Sequence, residues 1–271
     1  MDIDDMSKFL GTHNGRDKVI RTLSYATKLA AAFVSSEETA RKLDSISGQL
    51  SACRTILRLF DDIPMLNYTL TYGLGKEEPD KLTRIIGILI NAADQLYFPL
   101  EHVAWASDHR IVSLRSTSWW TACTVCWAVS LYLSFIKALR CMHILQYQRS
   151  CLNGTDSDAN AVMTQLVTQQ RHQLLTVLRC GGDLAQAVNC LPGGFLWAGK
   201  LQKWHCGALG TITSIISLYQ SYQRIVAYNI HYQSVSKNSR KPKDKIEAMF
   251  CLSNYSLLYQ RLTEAWVSHI S

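Results

Sequence analysis

At 271 residues, with 48% hydrophobic residues and a formal net charge of +7, the chain is long enough for one large domain or two small ones and apolar enough for a core. That composition alone does not demand a membrane. The acidic opening "MDIDDMSKF", followed soon by Gly11 and Asn14, does not resemble a secretory signal, so a cytosolic start is expected. Nine cysteines, an odd number scattered through apolar or helical text, read as reduced and mostly buried thiols.

Apolar residues recur at spacings of three and four almost throughout, and few stretches alternate, so the chain reads as all-α. Gly, Pro, Asn, Ser or charge interrupt the pattern at 72–81, 150–160, 191–194 and 234–245. Helices are expected at 16–35, 37–60, 80–105, 115–148, 158–180, 204–231 and 245–269. Acid and base nearly balance over residues 1–115, which leaves the basic excess in the second half.

The first long helix opens with "GRDKVIRTLSYATKLAAAF", residues 15–33. Val19, Leu23, Ala26, Ala30 and Phe33 share one side of it, and Lys18, Arg21, Tyr25 and Lys28 share another. The next helix repeats the plan, with Leu43, Ile46, Leu50, Cys53, Leu57 and Phe60 in one row and Arg41, Lys42, Arg54 and Arg58 nearby. Two surface helices of a soluble bundle carry such a pattern. So does a helix lying in a lipid headgroup layer, to which small Ala residues, an aromatic and a clean basic side are suited. Each Lys or Arg near an anionic surface contributes about 1 kcal/mol, so such association is reversible.

Two later segments are candidate membrane spans, 116–136 and 204–223. The first, "STSWWTACTVCWAVSLYLSFI", is uncharged, long enough to cross a bilayer, and begins with Trp119 and Trp120 where an interfacial belt would lie. Its Thr, Ser and Cys residues leave a buried or interfacial helix as the other reading. In the second, Gly207, Gly210, Ser214, Ser217 and Ser221 form a stripe of small residues opposite Leu209, Ile212, Ile216 and Tyr219. Small stripes let helix backbones approach closely in membranes, and they also mark tight packing in soluble cores. Between the two candidates, Pro192, Gly193 and Gly194 break the apolar text of 182–200, which suits an interfacial or re-entrant segment.

"GRDKVIRTLSYATKLAA" at 15–31, "DQLYFPLEHVAWASD" at 94–108, "GDLAQAVNCLPGGFLWAGK" at 182–200 and "GALGTITSIISLYQ" at 207–220 together resemble the peroxin-11 family of peroxisomal membrane proteins, most closely its gamma branch. The resemblance covers roughly residues 8–225. It implies an all-α helical membrane protein, with N-terminal amphipathic helices and one or two transmembrane helices, that elongates the peroxisomal membrane ahead of fission. By position, Lys18, Arg21 and Lys28 would contact lipid phosphates, and Val19, Leu23, Ala30 and Phe33 would sit among acyl chains. The stripe Gly207, Gly210, Ser214, Ser217 and Ser221 would pack the anchoring helix. Implied partners are an anionic phospholipid membrane, the protein itself or family paralogues, and fission adaptors with a dynamin-like GTPase; no nucleic acid is implied. Regions are expected at 1–114 (cytosolic, amphipathic), 115–225 (membrane-associated) and 226–271 (a basic extension that departs from the family pattern).

Enzymatic chemistry does not converge anywhere in the sequence. Cys123 and Cys126 form a C-x-x-C inside an apolar helix without a second pair, so packing is the expected role. His102 and His109, with Glu101 and Asp108, share a helix face but are expected to be structural rather than metal ligands. No phosphate-cradling glycine motif is present, so neither a cofactor nor a metal is expected. A metabolite channel and a soluble helical adaptor are the rival classes; the absence of charge within either candidate span weighs against the channel.

Overall fold

A computed structural model describes residues 3–78, 80–151 and 157–238. Among the described residues there are helices and no strands: α1 (Ile3–Gly11), α2 (His13–Phe33), α3 (Glu37–Arg58), α4 (Asp62–Tyr72), α5 (Lys81–Asp108), α6 (Ser116–Cys151), α7 (Ser157–Asn189) and α8 (Lys203–Asn238). The expected helix at 245–269 lies outside the described residues.

Polar caps set several starts. Thr12 accepts a hydrogen bond from the Gly15 N–H at 3.0 Å ahead of α2, and Ser36 accepts from Thr39 at 3.4 Å ahead of α3, where Glu37 and Glu38 also complement the positive helix end. Asp80 accepts from both the N–H and the hydroxyl of Thr83, at 3.1 and 2.9 Å, at the head of α5.

Three departures from the expected elements have local causes. Helix α1 forms up to Gly11, where only a one-residue break separates it from α2. Helix α4 tolerates Pro64 because that residue stands in the first turn, where an N–H has no helical acceptor to lose. Helix α7 runs through Gly181 and Gly182, nine residues beyond its expected end at 180, because these glycines are contact points rather than a stop. A Cβ on Gly182 would stand 2.6 Å from Thr213 Cγ2 of α8, and one on Gly181 would stand 3.5 Å from the Phe135 ring of α6.

Helices pack side by side in the order α3, α2, α8, α7, α6, α5, with α4 against α5 and α1 bridging α2 and α8. Phe9 of α1 is buried edge-on against Tyr222 of α8 at 6.3 Å. Packing crosses residue 114 twice, through α5 with α6 and through α2 with α8, so the regions divided there share their contacts. Helices α2 and α8 run antiparallel, with Leu29 opposite Gly207, Tyr25 opposite Gly210 and Arg21 opposite Thr213. A Cβ at Gly207 would stand 2.8 Å from Leu29 Cα, and one at Gly210 would stand 2.1 Å from the Tyr25 ring. Only glycine fits where the two backbones approach this closely.

Of the described cysteines, Cys123 and Cys180 are buried while Cys53, Cys151 and Cys190 are exposed, and all are free thiols. This corrects the expectation of mostly buried thiols: Cys53, for example, falls on the outer side of α3. Cys251 lies outside the described residues.

Overpacking typically costs about 1–3 kcal/mol, which for a chain of this size lowers the thermal midpoint by roughly 2–4 °C per kcal/mol. Gly210→Val is therefore expected to lower the midpoint of the purified protein in detergent by about 5 °C with helix content unchanged. Circular dichroism melts check this, and an unaltered midpoint would mean that α2 and α8 do not meet at Gly210.

Candidate membrane interface

Helix α2 is oriented by its buried charge. Arg21, only 9% exposed, donates to Asp183 of α7 at 2.5 Å and to the Thr213 hydroxyl of α8 at 3.2 Å. One turn on, Ser24 donates to the Ser47 carbonyl at 3.0 Å while Ser47 donates to the Ser24 carbonyl at 2.8 Å, which joins α2 to α3. Asp17 accepts from Arg54 of α3 at 2.8 Å and from Lys18 at 3.2 Å.

The basic side of α2 thus faces the protein. The family resemblance places Lys18, Arg21 and Lys28 against lipid phosphate; the structure engages Arg21 with Asp183 and Lys18 with Asp17, while Lys28 lies over the Tyr25 ring at 5.9 Å with no carboxylate partner among the described residues. For Arg21 this is a correction, because a buried guanidinium needs a carboxylate more than helix periodicity needs an outward charge. Burial also pushes the Lys18 ammonium below its usual range, against the pull of Asp17. Burial by itself would raise the Asp17 carboxyl, but Arg54 and Lys18 outweigh it and hold the group down at about 2.

The opposite side of α2 faces outward. Leu23 is 51% exposed, Phe33 is 71% exposed, Ala30 is exposed, and Val19 is half-buried. At the end of α2, Phe33 meets Trp204 at 6.5 Å, next to the 190–202 connection, which exposes Phe195 and Leu196. That connection folds back on α7 through Trp197 Nε1 donating to the Ala185 carbonyl at 2.9 Å, and through the N–H groups of Gly199 and Leu201 donating to Asn189.

The same inversion runs through the other helices. Leu82, Ile85 and Leu89 of α5, Val125, Val129 and Tyr132 of α6, and Ile212, Ile215 and Tyr219 of α8 all point outward at helical spacings. Inside lie Asn91, Glu101, Asp183, Gln220 and the small stripe of α8, in which Gly207, Gly210, Ser214, Ser217 and Ser221 are all buried. Gln220 donates to the His172 carbonyl at 3.1 Å and to the Thr176 hydroxyl at 3.0 Å, tying α8 to α7. Glu101, 1% exposed, accepts from Arg58 Nε at 3.1 Å and from the Tyr97 hydroxyl at 2.8 Å. Its neighbour His102 approaches the Phe98 and Leu59 carbonyls at 2.8 and 3.1 Å, so both residues are already engaged structurally.

Sequence reasoning did not find these pairs. The available signal was a carboxylate within apolar helical text, as in "CGGDLAQAV" around Asp183, which requires a cation from another element.

Among the described residues, α6 is the helix long and apolar enough to cross a membrane, and only 22% of its most apolar stretch is buried in the protein. A core helix of a soluble protein would be mostly enclosed. The second sequence candidate, 204–223, lies in α8, which does not reach that apolarity, and its small-residue side is covered by α2 and α7. Buried polar groups that are mostly hydrogen-bonded, outward apolar rows and, among the described residues, one spanning-length apolar helix are the features of an all-α helical membrane protein.

The family model described as peroxisomal biogenesis factor 11 (PEX11) matches residues 3–222, and the chain belongs to that family. It is 41% identical over 223 residues to peroxisomal membrane protein 11C of Homo sapiens, covering 80% of this chain and 92% of that protein. It is 40% identical over 223 residues, with the same coverage, to peroxisomal membrane protein 11C of Mus musculus. Both relatives accord with the gamma branch. No solved structure matches the chain significantly. The family match ends at 222, within α8, and the sequence beyond 238 lies outside the described residues.

Removing one member of a buried ion pair costs about 3–5 kcal/mol, whereas replacing both with apolar residues is often neutral. Arg21→Met alone should therefore destabilise strongly, and Arg21→Met with Asp183→Leu should recover most of the loss in a denaturation double-mutant cycle. Because the folded Asp17 carboxyl lies below the ordinary value of about 3.9, the stability it contributes is present above about pH 4 and is lost as pH falls through about 2. The stability difference between the native chain and Asp17→Asn should accordingly be constant at pH 5–7 and shrink below pH 4 in an acid titration followed by circular dichroism.

Proposed function

We propose that this PEX11-family protein remodels and elongates the peroxisomal membrane and so promotes peroxisome proliferation and fission, without catalysing a reaction. The observation that carries the proposal is the outward apolar face of α2, with Leu23, Ala30 and Phe33, on a helix whose inward face is fixed by Arg21. In this reading α6 anchors the chain, and α2 lies in the cytosolic leaflet with its apolar side among the acyl chains. Material added to one leaflet spreads its headgroups and favours curvature. Apolar burial contributes about 25 cal/mol per Å², so Leu23 and Phe33 together supply several kcal/mol of wedge insertion.

Self-association would concentrate such wedges, and recruitment of fission adaptors and a dynamin-like GTPase would convert a tubule into separate organelles. Support for the elongation step comes from family membership and from the inverted polarity of the helices.

Reversing Arg21 would break the buried pair with Asp183, so informative variants act on the outer side. Full-length protein carrying Leu23→Asp and Phe33→Asp is expected to remain in the membrane fraction through α6. It should nevertheless lose most tubule formation from reconstituted vesicles and most peroxisome elongation in cells. Tubulation equal to the native chain would refute the role of α2.

A further inference from the structure

The polar side of α2 carries a second feature that membrane insertion does not use. A cavity of about 250 Å³ opens between α2 and α3, and its floor is the reciprocal Ser24–Ser47 pair. Lys28 stands on one wall and Ser51 and Arg54 on the other.

The charges around it are unevenly matched. Asp44, the carboxylate of the lining, is held by Lys203 of α8. Asp17, beyond Arg54, is held by Arg54 Nε and Lys18. Arg54 is left with terminal nitrogens that make no hydrogen bond among the described residues, and Lys28 has no carboxylate within ion-pair distance among them. Ser51 and Lys28 line the same space and bring a hydroxyl and an ammonium as further donors. At Gly48 an added Cβ would meet nothing within 4 Å, so the cavity is open along α3.

We propose that this cleft binds a phosphate group. An ammonium on one helix and the end of a guanidinium fork on the other present charged donors from two directions, which suits a tetrahedral anion. Pockets for drug-sized ligands run to about 300–1,000 Å³, so this smaller cavity fits a headgroup rather than a large metabolite. The phosphate can belong to a membrane lipid or to a soluble ester. A lipid source fits the surroundings, because Lys203, the partner of Asp44, precedes Trp204, which meets Phe33 on the outer side of α2. The site does not depend on α2 lying in the leaflet.

The test is calorimetric titration of the full chain in maltoside micelles, with inorganic phosphate in one arm and micelle-dissolved phosphatidic acid in the other. Saturable binding in at least one arm is expected, weakened about tenfold by Lys28→Gln and again by Gly48→Asp, which points a carboxylate into the cavity. Binding of inorganic phosphate assigns a soluble source, and binding of phosphatidic acid alone assigns a lipid. The Leu23→Asp, Phe33→Asp chain should bind as the native protein does even where it fails to tubulate vesicles, which separates this site from the membrane wedge. Absence of saturation in both arms, or affinities within roughly twofold of native in both cleft variants, would overturn the proposal.

Discussion

The buried pair of Arg21 and Asp183 fixes the rotation of α2, and much of the molecule's surface follows from that rotation. A guanidinium placed against α7 and α8 carries its own helix face inward with it. Leu23, Ala30 and Phe33, on the other side, are then turned away from the protein. In water this arrangement would expose apolar area to no benefit. Against lipid it is the favourable one, because an unpaired polar group is costly there and an apolar side chain costs nothing.

A comparable economy operates around α6. The loop after α4 reaches α6 just beyond its uncharged stretch, where Glu78 accepts from Lys137 at 2.7 Å and Asp80 accepts from Arg140 at 3.2 Å. At the opposite end of the hairpin, Asp108 of α5 accepts from the Trp120 indole at 2.6 Å. Helix α5 is thereby fastened to α6 at both ends of the apolar stretch, and Glu101 within α5 is neutralised by Arg58. The spanning-length helix is held by charged contacts at its margins, and between them the α5 carboxyl Asp94 reaches the Ser130 hydroxyl of α6.

Close backbone approach is the second device. Gly207 and Gly210 admit Leu29 and Tyr25, and Gly182 admits Thr213, so α2, α7 and α8 meet at the depth where Arg21 finds its two partners. Larger residues at these positions would separate the helices. The pair would then be stretched or flooded, and the orientation of α2 would lose its cause.

Helix content was legible in the sequence because apolar spacing of three and four is a local property, as were the apolar length of 116–136 and the row of Gly and Ser in α8. The family resemblance was legible for the same reason, since it rests on ordered stretches of text. Local text misled at Gly181 and Gly182, where glycine means proximity to another helix rather than a stop. It also left the two sides of α2 equivalent: periodicity separates basic from apolar residues but does not say which side meets the protein. That choice was made by Asp183 and Thr213, far away in sequence, because a buried cation is stable only where the tertiary fold delivers an anion to it. The sequence alone therefore determined an all-helical chain with amphipathic helices and a resemblance to a membrane-protein family, and the tertiary structure decided that the basic face of α2 looks inward.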